Sequence, residues 1–260
     1  MTKEEYKILL EKSNELSDEI YQLLITDQMD SERYQELKLL EGEIEDKLYE
    51  YEKSELDRVL NEHLESDIQT CMKMLSSMED YTIGSHICGM NNRIMCSPSE
   101  LADSILQKGL LSARREGGGI AEDVHILGSQ DVDGLLYNML IKFYEFAMFR
   151  NTGGVVVAIP TTMLNENGEH VSIGKFPNDL GFVAKDDPRI ISLPINSFVR
   201  STGCLPKEFI LGVVSQDENG NACFHKNDHF IAELSPQDQI EVYKRFVSDG
   251  LRVDSFQNVH

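Results

Sequence analysis

Between Asp30 and Met78 the chain contains no proline and one glycine, Gly42. Through this stretch apolar residues recur at helical spacing: Leu37, Leu40, Ile44, Leu48 and Tyr51, then Leu60, Leu64, Ile68, Met72 and Leu75. Side chains three and four residues apart share one face of a helix, so the pattern is satisfied only by a long helix that buries a stripe. A second pattern precedes it from Lys3 to about Ile25, in Tyr6, Leu9, Leu10, Leu16, Ile20, Leu23 and Leu24. Asp27 to Ser31 interrupts the two, and Asp30 or Ser31 offers a side-chain oxygen to cap the second helix. Residues 1–79 are therefore expected to form an acidic helical hairpin or coiled-coil segment. Its seam must be buried on the partner helix, on the domain that follows, or against another subunit.

Charge reinforces the division. The 260 residues carry 24 Lys/Arg and 45 Asp/Glu, a formal −21. Residues 1–80 hold nine basic and 23 acidic residues, leaving −14, and the remaining 180 hold only −7. Such a field opposes non-specific binding to nucleic-acid backbones and anionic membranes. No apolar run reaches the roughly 20 residues that span a bilayer, and the start Met1-Thr2-Lys3-Glu4-Glu5 does not read as a secretory signal. Five cysteines without a dense framework suit a reducing compartment. The expectation is a cytoplasmic protein, or one delivered into a host cytosol by a signal-less route as an effector or toxin.

After Asp80 glycines and prolines return, with β-branched runs at Tyr81-Thr82-Ile83, Val155-Val156-Val157-Ala158-Ile159 and Phe209-Ile210-Leu211-Gly212-Val213-Val214. Helices alternate with them. Ser97-Pro98-Ser99-Glu100 supplies a cap, an N1 proline and an N3 glutamate, and Gly109 stands at the far end. A longer helix is expected from about Val132 to Arg150, and a last one from Ser235-Pro236 to about Asp249-Gly250. Residues 80–260 thus read as a mixed α+β domain.

Several residues of this domain fall in a meaningful order. Gly84-Ser85-His86 ends the first strand, and a helix follows that reads Ile105-Leu106-Gln107-Lys108-Gly109-Leu110. Then come Ser112-Ala113-Arg114-Arg115, the triplet Gly117-Gly118-Gly119, the strand Val124-His125-Ile126, and much later Glu208-Phe209-Ile210. Over roughly residues 81–216 this resembles the ADP-ribosyltransferase superfamily: a histidine on the first core strand, a helix reading IL-x-x-GL, an aromatic or histidine on the second strand, and a glutamate entering a late strand. The chain departs from that pattern in Ile87-Cys88 after the first histidine and in a long gap between His86 and Ile105.

The resemblance implies a mono-ADP-ribosyltransferase, a glycosyltransferase that consumes NAD and modifies a protein or nucleic-acid acceptor. Glu208, His86 and His125 would surround one ribose. The glutamate would stabilise the oxocarbenium-like cation that develops as nicotinamide leaves. Ser85, His86 and His125 would bind the dinucleotide, and Arg114 and Arg115 would clamp its pyrophosphate. Read singly, the histidines are also ordinary strand-end residues, Glu208 an exposed charge, and the arginines a solvated loop. A metal is not expected. Cys223, His225 and His229 have ligand chemistry but lack a fourth partner, and Glu218-Asn219-Gly220-Asn221 before them reads as a hairpin turn. Alternatives are a catalytically silent protein whose helical arm serves interaction or homo-oligomerisation, and an RNA 2′-phosphotransferase suggested by His125.

Overall fold

The computed structural model describes residues 1–78, 81–89, 98–111, 123–129, 132–150, 152–176, 179–184, 198–202, 204–248 and 252–253. They fall into two compact units, Met1–Asn61 and Glu62–His260.

The first unit is a helical hairpin. Helix α1 (Lys3–Ile25) opens on a capping box: Thr2 Oγ1 accepts from the Glu5 amide at 3.2 Å, and the Glu5 carboxylate accepts from the Thr2 amide at 2.7 Å. Helix α2 (Glu32–Leu75) begins where Ser31 Oγ accepts from the Tyr34 amide at 3.2 Å, so Ser31 takes the capping role. The turn between them holds Asp27 at φ 58°, a left-handed conformation that aspartate tolerates better than most residues. The helices run antiparallel. Tyr6 stacks on Tyr51 with ring centroids 4.9 Å apart and donates to Glu52 at 2.6 Å. Ser17 donates to Glu41, and Arg33 pairs with Glu19 at 2.8 Å. Leu16, Ile20, Leu37, Ile44, Leu48 and Val59 form the buried seam. Glu41 is buried among them and keeps its charge through Lys38 and Ser17, whose hydrogen bonds hold its carboxyl below the usual range.

Helix α2 is 44 residues long, about 66 Å at 1.5 Å per residue. Its turns from residue 62 onward belong to the second unit. The compact units thus divide at 61/62, whereas sequence texture changes at 79/80. Leu64, Cys71, Met74 and Leu75 are buried there.

The rest of the second unit is antiparallel sheet with helices, a mixed α+β arrangement. In chain order it contains β1 (Tyr81–Gly89), α3 (Pro98–Lys108), β2 (Leu110–Leu111), β3 (Asp123–Ser129), α4 (Val132–Phe149), β4 (Thr152–Pro160), β5 (Thr162–Leu164), β6 (His170–Phe176), β7 (Asp179–Ala184), β8 (Phe198–Thr202), β9 (Cys204–Leu205), β10 (Ile210–Gln216), β11 (Ala222–Lys226), α5 (Pro236–Ser248) and β12 (Arg252–Val253). Six strands form the main sheet in the order β11-β10-β4-β1-β3-β8, every pair antiparallel. Four strands form a second sheet, β12-β7-β6-β5, and β2 pairs with β9.

The composition of β4 explains its central place. Val155, Val156, Val157, Ala158 and Ile159 are all buried, which requires cover on both faces. One face takes α4. Gly154 lies under the Phe143 ring, and a Cβ at position 154 would collide with it. Helix α3 ends at Gly109, whose φ of 80° and N–H hydrogen bond donated to the Ile105 carbonyl close the last turn. A side chain there would strike the Leu205 carbonyl, so glycine lets β2 meet β9.

Candidate functional site

The sheet brings strands β1 and β3, which carry His86 and His125, side by side. Strand β1 carries half-buried Ser85 and His86, and its next neighbour on one side is β3, which carries His125. The paired positions are Ile83 with Ser129, Gly84 with Gly128 and Ser85 with Leu127. His125 lies two residues from Leu127 and pairs on its other side with Arg200 of β8. Strand positions alternate between faces. Position 125 is therefore in step with Leu127 and Ser85, and His86 is one residue out of step with them. Strand adjacency brings these positions within about 5–8 Å of backbone separation, but alternation does not set 86 and 125 on the same face.

Glu208 stands elsewhere. It lies in a 3₁₀ turn, Lys207–Phe209, that leads into β10, and β10 is separated from β1 by β4. Ile210 pairs with Val157, and Val157 pairs with Gly84. The start of β10 is thus two strands, about 10 Å, from β1, on the side away from β3. The 208 position is two residues further from His86 than that row. Glu208 is 3% exposed, and its Oε2 lies 2.6 Å from Arg245 Nη2 on α5. The approach is an ion-pair distance without the alignment of a directed hydrogen bond.

The turn that holds Glu208 is clamped by a residue that sequence reasoning passed over. Asn227, 1% exposed, donates through Nδ2 to the carbonyls of Lys207 and Ile210, each at 2.7 Å, and accepts from the His229 amide at 3.0 Å. Its only signal in the sequence is an asparagine directly after a strand, a common turn residue.

His86 does share a row with another candidate. His86 pairs with Val155, Val155 with Val213, and Val213 with His225. Two histidines therefore end a cross-strand row with two buried valines between them, spanning about 14 Å. His225 Nε2 is 3.1 Å from Cys223 Sγ. Burial pushes the Cys223 thiol up to about 11, helped by the charges of Asp217 and Asp67, and pushes the His225 imidazole down despite Asp103 and Asp217. A neutral thiol beside a neutral imidazole is a weak nucleophile and a weak metal site. His229 is exposed, and among the described residues no three His, Cys, Asp or Glu side chains are arranged to hold a metal ion. The residues before Cys223 form a turn on Asp217, which accepts from the amides of Asn219 and Asn221, with Gly220 at φ 78°.

Arg114, Arg115 and the glycine triplet lie outside the described residues. No helix among the described residues is long and apolar enough to cross a membrane. No family model, curated protein or solved structure matches this chain.

Proposed function

We propose that the second unit is an ADP-ribosyltransferase-like module that consumes NAD and transfers ADP-ribose to a protein or nucleic-acid acceptor. The observation that carries the reading is the antiparallel pairing of β1 with β3, which makes neighbours of the Ser85-His86 segment and the His125 segment although 39 residues separate the two histidines. Positions 85 and 125 fall in step on adjoining strands, and a hydroxyl and an imidazole there suit ribose hydroxyls and the nicotinamide amide, which need donors and acceptors rather than charge. The order of the landmarks supports it too: a His strand, a helix closed by Gly109, a second His strand and a long helix.

Within this reading Glu208 takes a different part from the one the resemblance implies. Its burial, the intervening β4 and its ion pair with Arg245 favour an anchor between the β10 entrance and α5.

The test uses the full chain, calorimetric titration with NAD and a nicotinamide-release assay. Binding is expected, with slow hydrolysis to ADP-ribose when water replaces the acceptor. Ser85→Ala and His125→Ala should each weaken NAD binding about tenfold, the loss of one hydrogen bond to the ground state, and His86→Ala, out of step with both, should weaken it less. Glu208→Gln should leave turnover per folded molecule unchanged. A drop of about 10²–10³ in turnover with unchanged NAD affinity and unchanged melting would instead restore it as the stabilising carboxylate. A folded chain that fails to bind NAD at millimolar concentration overturns the proposal. A second reading, an interaction protein without NAD turnover, is favoured by the apolar residues exposed at one end of the hairpin.

A further inference from the structure

At the turn end of the N-terminal hairpin, Tyr21, Leu24 and Ile25 are 60%, 45% and 57% exposed, and Met29 in the turn is 43% exposed. The first three stand at i, i+3 and i+4 of α1, so they form one patch. Leu16 and Ile20 on the same helix are spent on the buried seam. The hairpin thus satisfies its own core and leaves a second apolar surface over. The same end of the hairpin is strongly acidic: between residues 16 and 36 there are six acidic side chains, Asp18, Glu19, Asp27, Asp30, Glu32 and Glu36, all exposed, against the single base Arg33. Arg33 is already paired, 2.8 Å from Glu19 and 3.9 Å from Glu36.

Apolar contact alone does not choose an occupant, but the charge does. A second copy of the hairpin would bring the same negative charge against this one, and an anionic bilayer would meet the same repulsion. A segment that carries apolar residues along one stripe and Lys or Arg beside it gains from both features. From this complementarity we infer that the hairpin tip docks a basic amphipathic helix of another protein, its apolar stripe on Tyr21, Leu24, Ile25 and Met29 and its basic flanks drawn to the exposed carboxylates of this end. This is helix recognition by spaced apolar anchors, with the surrounding charges setting the choice of partner.

The experiment measures binding of a fluorescent Leu/Lys amphipathic helix, about five turns long, to the full chain by anisotropy. The test variant is Tyr21→Ser with Leu24→Ser and Ile25→Ser. Because these side chains are exposed, the hairpin should keep its helical signal. Two single variants serve as controls. Ile8→Ser lies roughly 20 Å away along the same helix and is 58% exposed; Leu39→Ser on α2 is 73% exposed. The expected result is a loss of affinity of about tenfold or more for the triple variant alone. Affinity should also fall as ionic strength rises toward about 0.5 M. Equal affinity for all variants would show attraction to net charge only and overturn the inference. So would self-association in analytical ultracentrifugation that the triple variant abolishes, since a second copy would then be the occupant. Tip-dependent adsorption to phosphatidylcholine vesicles, with no tip-dependent peptide binding, would overturn it in favour of a membrane.

Discussion

The phenol oxygen of Tyr144 lies 2.5 Å from a carboxylate oxygen of Asp67, although 77 residues separate the two in the chain. Tyr144 is 1% exposed, so its hydroxyl has no water to turn to, and the bond fastens the last turns of α2 to α4. Tyr144→Phe should lower stability by about 1–3 kcal/mol, because it leaves a half-buried carboxylate without its donor. Asp67→Asn keeps an acceptor and should cost less. Burial raises the Asp67 carboxyl above 3.8 in the folded state. The folded chain therefore holds that proton more tightly, and this stabilising contribution is lost as pH rises from about 3.8 through the raised value. Urea unfolding of both variants at pH 4 and pH 7 checks the two statements.

Gly154→Ala should destabilise the second unit by about 1–3 kcal/mol, since a methyl group must displace the Phe143 ring from a filled core. Pairing it with Phe143→Leu should recover part of that loss. Thermal melting of the two variants reads the coupling directly.

Arg245→Ala should cost more stability than Glu208→Gln. Removing the arginine strands a buried carboxylate, whereas glutamine removes the charge that needed a partner. Arg245 is 45% exposed in its side chain, so solvent screens the pair. That brings the expected loss to about 1–2 kcal/mol, below that of a fully buried pair. If Glu208→Gln proves the more damaging change, the ion pair is a net stabiliser and not merely a compensated charge.

His225 makes stability fall on the acid side. Burial depresses its folded pKa below 6.5, so the unfolded chain takes up the proton first. Stability should therefore rise with pH from the depressed value to about 6.5 and level off above it. His225→Gln should flatten that slope. Denaturation midpoints between pH 5 and pH 8 provide the measurement.

Local chemistry announces much of this fold. Ser31, Gly109 and Ser235 each take the terminal position that their side chain or lack of one suits; Ser235 Oγ accepts from the Asp238 amide at 3.2 Å. The valine run of β4 reads as a buried strand because no other element accommodates five apolar, largely β-branched residues so short. What cannot be read locally is which strands meet. Whether β4 stands between β1 and β10 decides how far Glu208 is from His86, and that choice rests on packing across the whole sheet. Likewise α2 passes from one unit to the next with no break in its helical spacing, since Leu64, Met74 and Leu75 continue the periodicity that Ile44 and Leu48 began. The buried Glu41 and the pairing of Asp67 with Tyr144 were invisible for the same reason: their partners are distant in sequence or unremarkable in type.

The central place of β4 has a consequence for how the chain is made. Its partners on the sheet arrive at different times: β1 precedes it, but β10 begins 50 residues after Pro160. Until then one edge of an uncharged valine-rich strand stands open on the nascent chain. Such an edge is a template for pairing between molecules, and late, non-local closure prolongs the exposure. Pro160 ends the strand with a residue that has no amide to donate, which limits how far a foreign strand can extend along it. Refolding yield should therefore depend steeply on protein concentration, through collisions that occur before β10 has closed the edge.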